Sequence, residues 1–280
     1  MLRKSIRHEF RATARVVLPV YLAILSLSVV AHFTLHVLSS GGYYGTLLRT
    51  ISGVVTGVFF ACVAASGIGV IALTVERFYR SFLSDEGYLT MTLPVSTHKL
   101  ISAKLLASVV WYALSGVVIA AAILIALLDS GDWSGFFMGI ADFSEAVWET
   151  LQTAKPGVVA GLIACGIELF LCMILGAALT SLLIYAAMAI GYSLNRHKKL
   201  MSVVFSFVFY HATQIAAAYC GINIVGEIIA KYERAYAAGV DWGVMTGIAV
   251  LSAVLLLLLA ACALYYFITH WFLTKKLNLE

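Results

Sequence analysis

The sequence is poor in charge and in proline. Only 11% of its 280 residues are Asp, Glu, Lys or Arg, whereas 62% are hydrophobic and three are proline. A soluble domain carries about 25% charged residues, so this composition excludes a water-soluble globular fold. The alternation of apolar and polar residues that is typical of membrane β-barrel strands does not recur along the chain. The sequence therefore predicts an all-α integral membrane protein.

Catalytic and metal-binding motifs are absent as well. The chain has no GxxxxGK[ST] phosphate loop, no HExxH and no GxSxG, so it lacks the residues that bind ATP or catalyse hydrolysis by those routes. His32 and His36 have helical spacing but no third ligand, so we interpret them as interfacial histidines. We expect no enzyme activity, no cofactor, no metal and no nucleic-acid partner for this chain.

The cysteines do not suggest a disulfide framework. All of them fall in apolar runs, where a small packing residue is the simplest interpretation. They are Cys62, Cys165, Cys172, Cys220 and Cys262.

Long apolar runs are what the sequence does contain. About 20 apolar residues cross a bilayer as a helix, and six runs reach that length. They predict a six-helix bundle within a transmembrane domain at 16–270, with spans at 16–38, 51–75, 101–128, 157–192, 201–229 and 246–270. The fourth run makes a helix of about 54 Å against a hydrocarbon core of about 30 Å. It must tilt, break near Gly176 or extend beyond the bilayer.

Basic residues concentrate on one side of this topology. With six spans both ends of the chain share a side, and the opposite side keeps only Arg49, Lys155, Lys231 and Arg234 of the 18 Lys and Arg residues. The positive-inside rule makes the basic side cytoplasmic. The sequence thus predicts a multi-pass protein with cytoplasmic N- and C-termini, the latter a short tail at 271–280.

Residues 1–15 have the pattern of a basic amphipathic helix. Apolar residues recur at positions 2, 6 and 10, and arginines recur beside them at the same interval: Arg3, Arg7, Arg11 and Arg15. Such a helix lies in the headgroup plane of an anionic leaflet. The alternative is a basic tail that sets topology without fixed structure.

Two external segments also predict short helices. In 129–156, Asp142 and Glu145 have the spacing of a capping box, which predicts a helix that begins at Asp142. In 226–245, mixed polarity predicts a helix that dips partly into the outer leaflet.

Glu168 is the one acidic residue placed well inside a predicted span. A charge at the bilayer centre costs about 2.5–3.5 kcal/mol even on the lenient insertion scale, so Glu168 must be protonated, paired or next to water. It either contacts a substrate or relays protons, or it makes an interhelical hydrogen bond. His211 and Gln214 in the fifth span are candidate partners.

The segment 76–100 is the longest cytoplasmic connection. Apolar residues from Phe78 to Leu83 continue one helical stripe beyond the second span. Gly87 suits a left-handed turn that ends a helix, and Ser96 suits the cap of a helix from Thr97. Between them, "YLTMTLPV" alternates apolar and polar residues, which on periodicity alone predicts an extended strand.

This loop reads "RFYRSFLSDEGYLTMTLPVSTHKLISAKLLASVVW". It resembles the membrane subunits of bacterial type-2 ABC exporters, especially Gram-positive permeases whose loop reads close to FxxxLxxDEGYLTxTLPV. The matching core comprises residues 85–90 and 92–95 and is specific. Elsewhere the resemblance is architectural: a basic N-terminal helix, six spans and an external segment before the last span.

The resemblance implies a division of labour in a bacterial plasma membrane. This chain would form half of a translocation pathway with a second copy or a paralogue, and a separate ATPase chain would bind ATP and Mg. The loop would be the coupling element that enters a groove of the ATPase, with "YLTMTLPV" as a short helix or turn. The residues implied in coupling are Phe82, Asp85, Glu86, Gly87, Tyr88, Leu89, Thr90, Leu93 and Pro94.

Two other functions remain open. A secondary transporter predicts charged residues in several spans and inverted halves, whereas here Glu168 stands alone and no convincing repeat is visible. A non-transporting assembly or sensor subunit would not need a coupling loop.

Overall fold

Helix is the secondary structure of nearly all of the described chain. A computed structural model describes residues 2–40, 44–84, 87, 96–127, 132–153, 156–194, 197–237 and 243–275. These residues are 96% helical and contain no strand. The helices are α1 Leu2–Ser39, α2 Thr46–Phe82, α3 Thr97–Leu127, α4 Asp132–Thr153, α5 Pro156–Tyr192, α6 Lys198–Cys220, α7 Gly226–Ala237 and α8 Gly243–Lys275, with a π-helical turn Gly221–Val225 between α6 and α7.

Six helical stretches in the described residues are long and apolar enough to cross a membrane. They are Phe10–Ser39, Thr46–Phe82, Thr97–Leu127, Gly157–Tyr192, Lys198–Ala237 and Gly243–Lys275. Large apolar side chains along them point away from the protein, and Leu47 and Met173 are each 76% exposed, as side chains in contact with lipid are expected to be. The prediction of an all-α, six-span membrane protein is confirmed.

One compact unit comprises residues 3–74 and 110–152. Its core has two apolar clusters, one around Tyr21 and Trp111 and the other around Phe59 and Ala122. The Tyr21 hydroxyl bonds Ser115 Oγ, which ties α1 to α3. Hydroxyl contacts of this kind join helices where lipid gives no hydrophobic drive between them.

The other unit consists mainly of residues 75–109 and 153–280. Here α5 packs against both α6 and α8. Thr213 Oγ1 and the Tyr265 hydroxyl bond each other across 2.6 Å between α6 and α8. Gly191 on α5 meets Ser202 on α6 so closely that a Cβ at Gly191 would lie 2.6 Å from the Ser202 backbone nitrogen.

The N-terminal segment predicted as an interfacial helix is continuous with the first span. Together they form α1, a single helix of 38 residues. Phe10 is half-buried, and its ring centroid lies 6.0 Å from that of Trp111, so this residue of the apolar stripe packs against α3. Placement of residues 1–15 in the headgroup plane stays a prediction.

The helices between the later spans differ in their limits from the sequence prediction. α4 begins at Asp132, so the predicted start at Asp142 is wrong. The ten residues before Asp142 contain no proline and carry their own apolar side chains, so the helix needs no new start there. The helix predicted within 226–245 is α7, which follows α6 through the π-helical turn.

α5 runs through Gly176 without a break. The seventh crossing that a break would have created is therefore absent from the described residues. Thr180 Oγ1 donates to the Gly176 carbonyl at 3.0 Å, as a threonine in an intact helix does.

Candidate functional site

The ends of α2 and α3 that flank the central loop are anchored on α5. Phe78 and Phe82 are both 0% exposed. The Phe78 ring stacks on the Tyr185 ring, with centroids 4.0 Å apart and planes 10° from parallel. The centroid of the Phe82 ring lies 4.9 Å from that of Phe78. We call Phe78, Phe82 and Tyr185 the aromatic base. Stacked rings of this kind oppose a tilt of α2 relative to α5, because the tilt would separate ring surfaces that are in contact.

The sequence places these rings on one side of α2 by helical spacing. Phe78 and Phe82 are four residues apart and therefore share a face. α5 presents small buried residues beside Tyr185, Ala186 and Ala189 among them. Small residues let helices approach closely, which gives the two phenylalanine rings room against α5.

Lys104 on α3 fastens the start of that helix to α2. Its Nζ donates to the Arg77 carbonyl at 3.3 Å and lies 5.9 Å from the Phe82 ring centroid. Both contacts suit a cation: the carbonyls near a helix C-terminus carry partial negative charge, and the face of a phenylalanine ring attracts ammonium. The buried lysine thus holds α2 and α3 together directly below the loop.

One ion pair lies next to this base. Arg80 Nη2 contacts Glu76 Oε1 at 2.7 Å within α2, and the two side chains are 62% and 50% exposed. An exposed i, i+4 pair contributes little to stability. It does mark the part of α2 where charged side chains begin.

Gly87 is required because it lies against the backbone of Phe82, and not because it adopts a left-handed turn. Its backbone is helical, so the predicted left-handed conformation is wrong. Its N–H donates to the Ser84 carbonyl at 2.7 Å, and a Cβ would lie 2.7 Å from the Phe82 carbonyl carbon. Gly87 lies so close to the end of α2 that no side chain fits at this position.

The far side of the loop begins α3 where the sequence predicts. The helix starts at Thr97, and the N–H groups of Lys99 and Leu100 donate to the Ser96 carbonyl at 2.9 and 3.4 Å. Ile101, one turn later, is fully buried in the same cluster as the aromatic base. Both flanks of the loop are therefore fixed in one packed core.

Of the predicted coupling residues, only Phe82 and Gly87 are among those that the structure describes. The others lie outside the described residues, and with them the choice between strand and helix for "YLTMTLPV". They are Asp85, Glu86, Tyr88, Leu89, Thr90, Leu93 and Pro94.

Glu168 is partnered by a residue that the sequence did not single out. Ser252 Oγ on α8 donates to Glu168 Oε1 at 2.5 Å, and Glu168 Oε2 is buried without a hydrogen-bond partner among the described residues. The His211 ring contacts Phe207 and Tyr210 instead, so the structure does not bring His211 to Glu168, nor does it pair Glu168 with Gln214. A lone serine in an apolar span usually bonds to a carbonyl of its own helix, so the sequence does not indicate Ser252 as a partner of Glu168.

The remaining predicted residues are at the surface or in a small recess. Arg7, Arg11 and Arg15 are exposed, and the side chain of Arg3 lies outside the described part. His32 and His36 line a shallow cavity of about 220 Å³ with Ser39. Within the described ranges no group of three His, Cys, Asp or Glu residues could hold a metal ion.

Comparison with known proteins assigns no family. No protein-family model matches the chain, and neither a curated protein nor a solved structure matches it.

Proposed function

We propose that this chain is the membrane subunit of an ATP-driven exporter that works with a separate ATPase. The single observation that carries the proposal is the sequence "DEGYLTMTLPV", directly beyond the aromatic base. In the proposed assembly the chain pairs with a second copy or a paralogue in a bacterial plasma membrane. Both termini are cytoplasmic, and the partner carries ATP and Mg.

The packing around the loop supports a mechanical role. A loop that transmits movement must not yield at its own attachment, and both of its flanks are clamped by Lys104 and by the Phe78–Tyr185 stack. Its two flanks belong to the unit that contains α5, α6 and α8, and α2 and α3 each continue into the other unit. A push on the loop therefore acts directly on α2 and α3.

The composition of the loop supports a protein partner. Asp85 and Glu86 offer charge to basic residues, and Tyr88 and Leu89 offer apolar surface next to them. Buried aromatic anchors beside charged groups dominate many protein interfaces, and charge complementarity sets their orientation.

The test is retention of an ATPase by variants of the loop. The tagged chain is purified from its native membranes in a mild detergent, together with any chain that carries a GxxxxGK[ST] loop. Changing Asp85, Glu86 and Tyr88 together to Ala is expected to lower the co-purified ATPase by about tenfold or more, because the loss of a single hot-spot anchor weakens an interface by about 2 kcal/mol. Mass spectrometry quantifies the partner, and ATP hydrolysis per chain is measured in parallel.

A matched control has the same chemistry elsewhere. Asp142, Glu145 and Trp148 are two acids and an aromatic ring, all exposed on α4. Changing these three to Ala should leave the ATPase bound. Equal retention in both triple variants, or no ATPase with the unaltered chain, would contradict the proposal.

A secondary transporter is the second candidate, favoured by the unpartnered Oε2 of Glu168. An intramembrane carboxyl with a free oxygen is a common element of proton relays. The purified chain alone is placed in vesicles that contain a pH-sensitive dye, and a pH gradient is imposed. We expect no proton entry above that of protein-free vesicles, for the unaltered chain and for Glu168→Gln alike. Proton entry that Glu168→Gln abolishes would favour the secondary transporter instead.

A further inference from the structure

A cavity of about 520 Å³ opens between α3, α5 and α8. Its volume lies within the range of about 300–1,000 Å³ that small-molecule sites occupy. Apolar side chains form most of its wall, including Leu105, Leu182 and Leu259, and none of the described residues that line it is acidic. A cavity of this size and lining suits a hydrocarbon chain.

One end of the cavity is polar. The His98 and His270 rings stack with centroids 3.8 Å apart, and His98 Nδ1 and the Tyr266 hydroxyl bond each other at 2.8 Å. His98 Nε2 and both ring nitrogens of His270 make no hydrogen bond with any residue that the structure describes. Imidazole nitrogens that face a cavity without a protein partner are available to a ligand.

The polar end lies at the depth of lipid headgroups. Lys104 reaches Arg77, next to the exposed Glu76, so charged side chains begin at this level. His98 lies six residues closer to the start of α3, about 9 Å further out, which places it at the outer edge of a headgroup layer about 5–8 Å thick. From His270 to Leu259 the cavity follows α8 for about 16 Å, so it extends from the headgroup layer into the hydrocarbon of one leaflet.

The charge of the described residues at this end favours an anion. Lys99 follows His98 and is exposed, and Lys275 lies in the last turn of α8, also exposed. His98 itself sits in the first turn of α3, where backbone N–H groups attract negative charge. A phosphate suits this set of groups better than a neutral or a cationic headgroup does.

We propose that this cavity binds an anionic phospholipid. One acyl chain lies along the apolar wall, and the phosphate meets His98 and His270. Such a lipid would fill the space between α3, α5 and α8. The start of α3 would then contact α2 on one side and the lipid on the other. The site requires no ATPase, so the lipid proposal can be tested independently of the exporter proposal.

Headgroup preference is the first test. The purified chain in detergent is mixed with equal amounts of dioleoylphosphatidylglycerol and dioleoylphosphatidylcholine, and retained lipid is counted by native mass spectrometry. We expect phosphatidylglycerol to be retained about tenfold better, because both lipids carry a phosphate but only phosphatidylcholine adds a cationic choline, which Lys99 and Lys275 repel. His270→Gln should lower the retention of phosphatidylglycerol, whereas His32→Gln, in the other unit, should leave it unchanged. Equal retention of the two lipids overturns the proposal.

Tail occupancy is the second test. Ala263 lines the cavity and Ala260 does not, and both are exposed on α8. Ala263→Trp should lower retention of phosphatidylglycerol by about tenfold, because the indole displaces methylenes of the acyl chain, whereas Ala260→Trp should not. If Ala263→Trp does not fold, as judged by gel filtration, the headgroup test alone decides.

Two outcomes would assign the cavity to another occupant. Displacement of the lipid by an equal amount of glycerol phosphate would mean that the tail adds nothing to binding. Conversion of a dimer to a monomer by Ala263→Trp, with lipid retention unchanged, would mean that a second copy of the chain covers the cavity. Either result overturns the lipid proposal.

Discussion

Phe78→Ala is expected to destabilise the protein by about 3–5 kcal/mol, the cost of truncating a buried phenylalanine. Phe78 is fully buried, and its ring contacts both Tyr185 and Phe82. Removal of the ring leaves a void between α2 and α5 that rigid helices cannot close. The measurement is the free energy of unfolding in mixed detergent and SDS micelles.

A phenylalanine of α5 outside the aromatic base provides the control. Phe170 is 63% exposed, so Phe170→Ala should change the free energy of unfolding by about 0.5 kcal/mol or less. Phe78→Leu, which retains most of the apolar volume, should cost less than Phe78→Ala. Equal effects of Phe78→Ala and Phe170→Ala would mean that the aromatic base is not a packed core.

The second large effect is expected at the crossing of α5 and α6. Gly191→Ala should lower the free energy of unfolding by about 1–3 kcal/mol, the usual cost of overpacking. The new Cβ would lie 2.6 Å from the nitrogen and 2.7 Å from the Cα of Ser202. Because these are backbone atoms, no rotamer change relieves the clash and the two helices must separate.

Gly176 on the same helix is the matched site. A Cβ there has nothing within 4 Å, so Gly176→Ala should stabilise the helix by about 0.5–1 kcal/mol through backbone entropy alone. The two substitutions are chemically identical and are expected to have opposite signs. A shift of the same sign and size in both variants would contradict the close approach of α5 to α6. Thermal unfolding of the two variants side by side makes the comparison.

The sequence predicts the fold well because the membrane leaves few choices. Backbone groups in hydrocarbon must bond within their own helix, so six apolar runs lead directly to six helices. The stripe from Phe78 to Leu83 was predictable for the same reason, since helical periodicity is local. The start of α3 at Thr97 follows from local signals too.

The site is harder to predict because it depends on register between distant helices. Nothing in the sequence near Phe78 points to Tyr185, which lies 107 positions away. Ser252 as the partner of Glu168 depends likewise on how α8 slides along α5. Gly87 was predicted for a left-handed turn, yet it is needed because the chain passes close to Phe82, and local propensity cannot distinguish these two uses of glycine.

The Glu76–Arg80 pair has a consequence for how the protein can be unfolded. Charged side chains that are exposed to this degree do not lie in hydrocarbon. Phe78, between them in sequence, therefore packs on Tyr185 outside the bilayer core, where burial is driven by release of water. The spans have no such drive. Urea should therefore loosen the attachment of the loop at concentrations that leave the membrane helices intact. One part of the chain is stabilised by burial from water, and the other is packed within lipid.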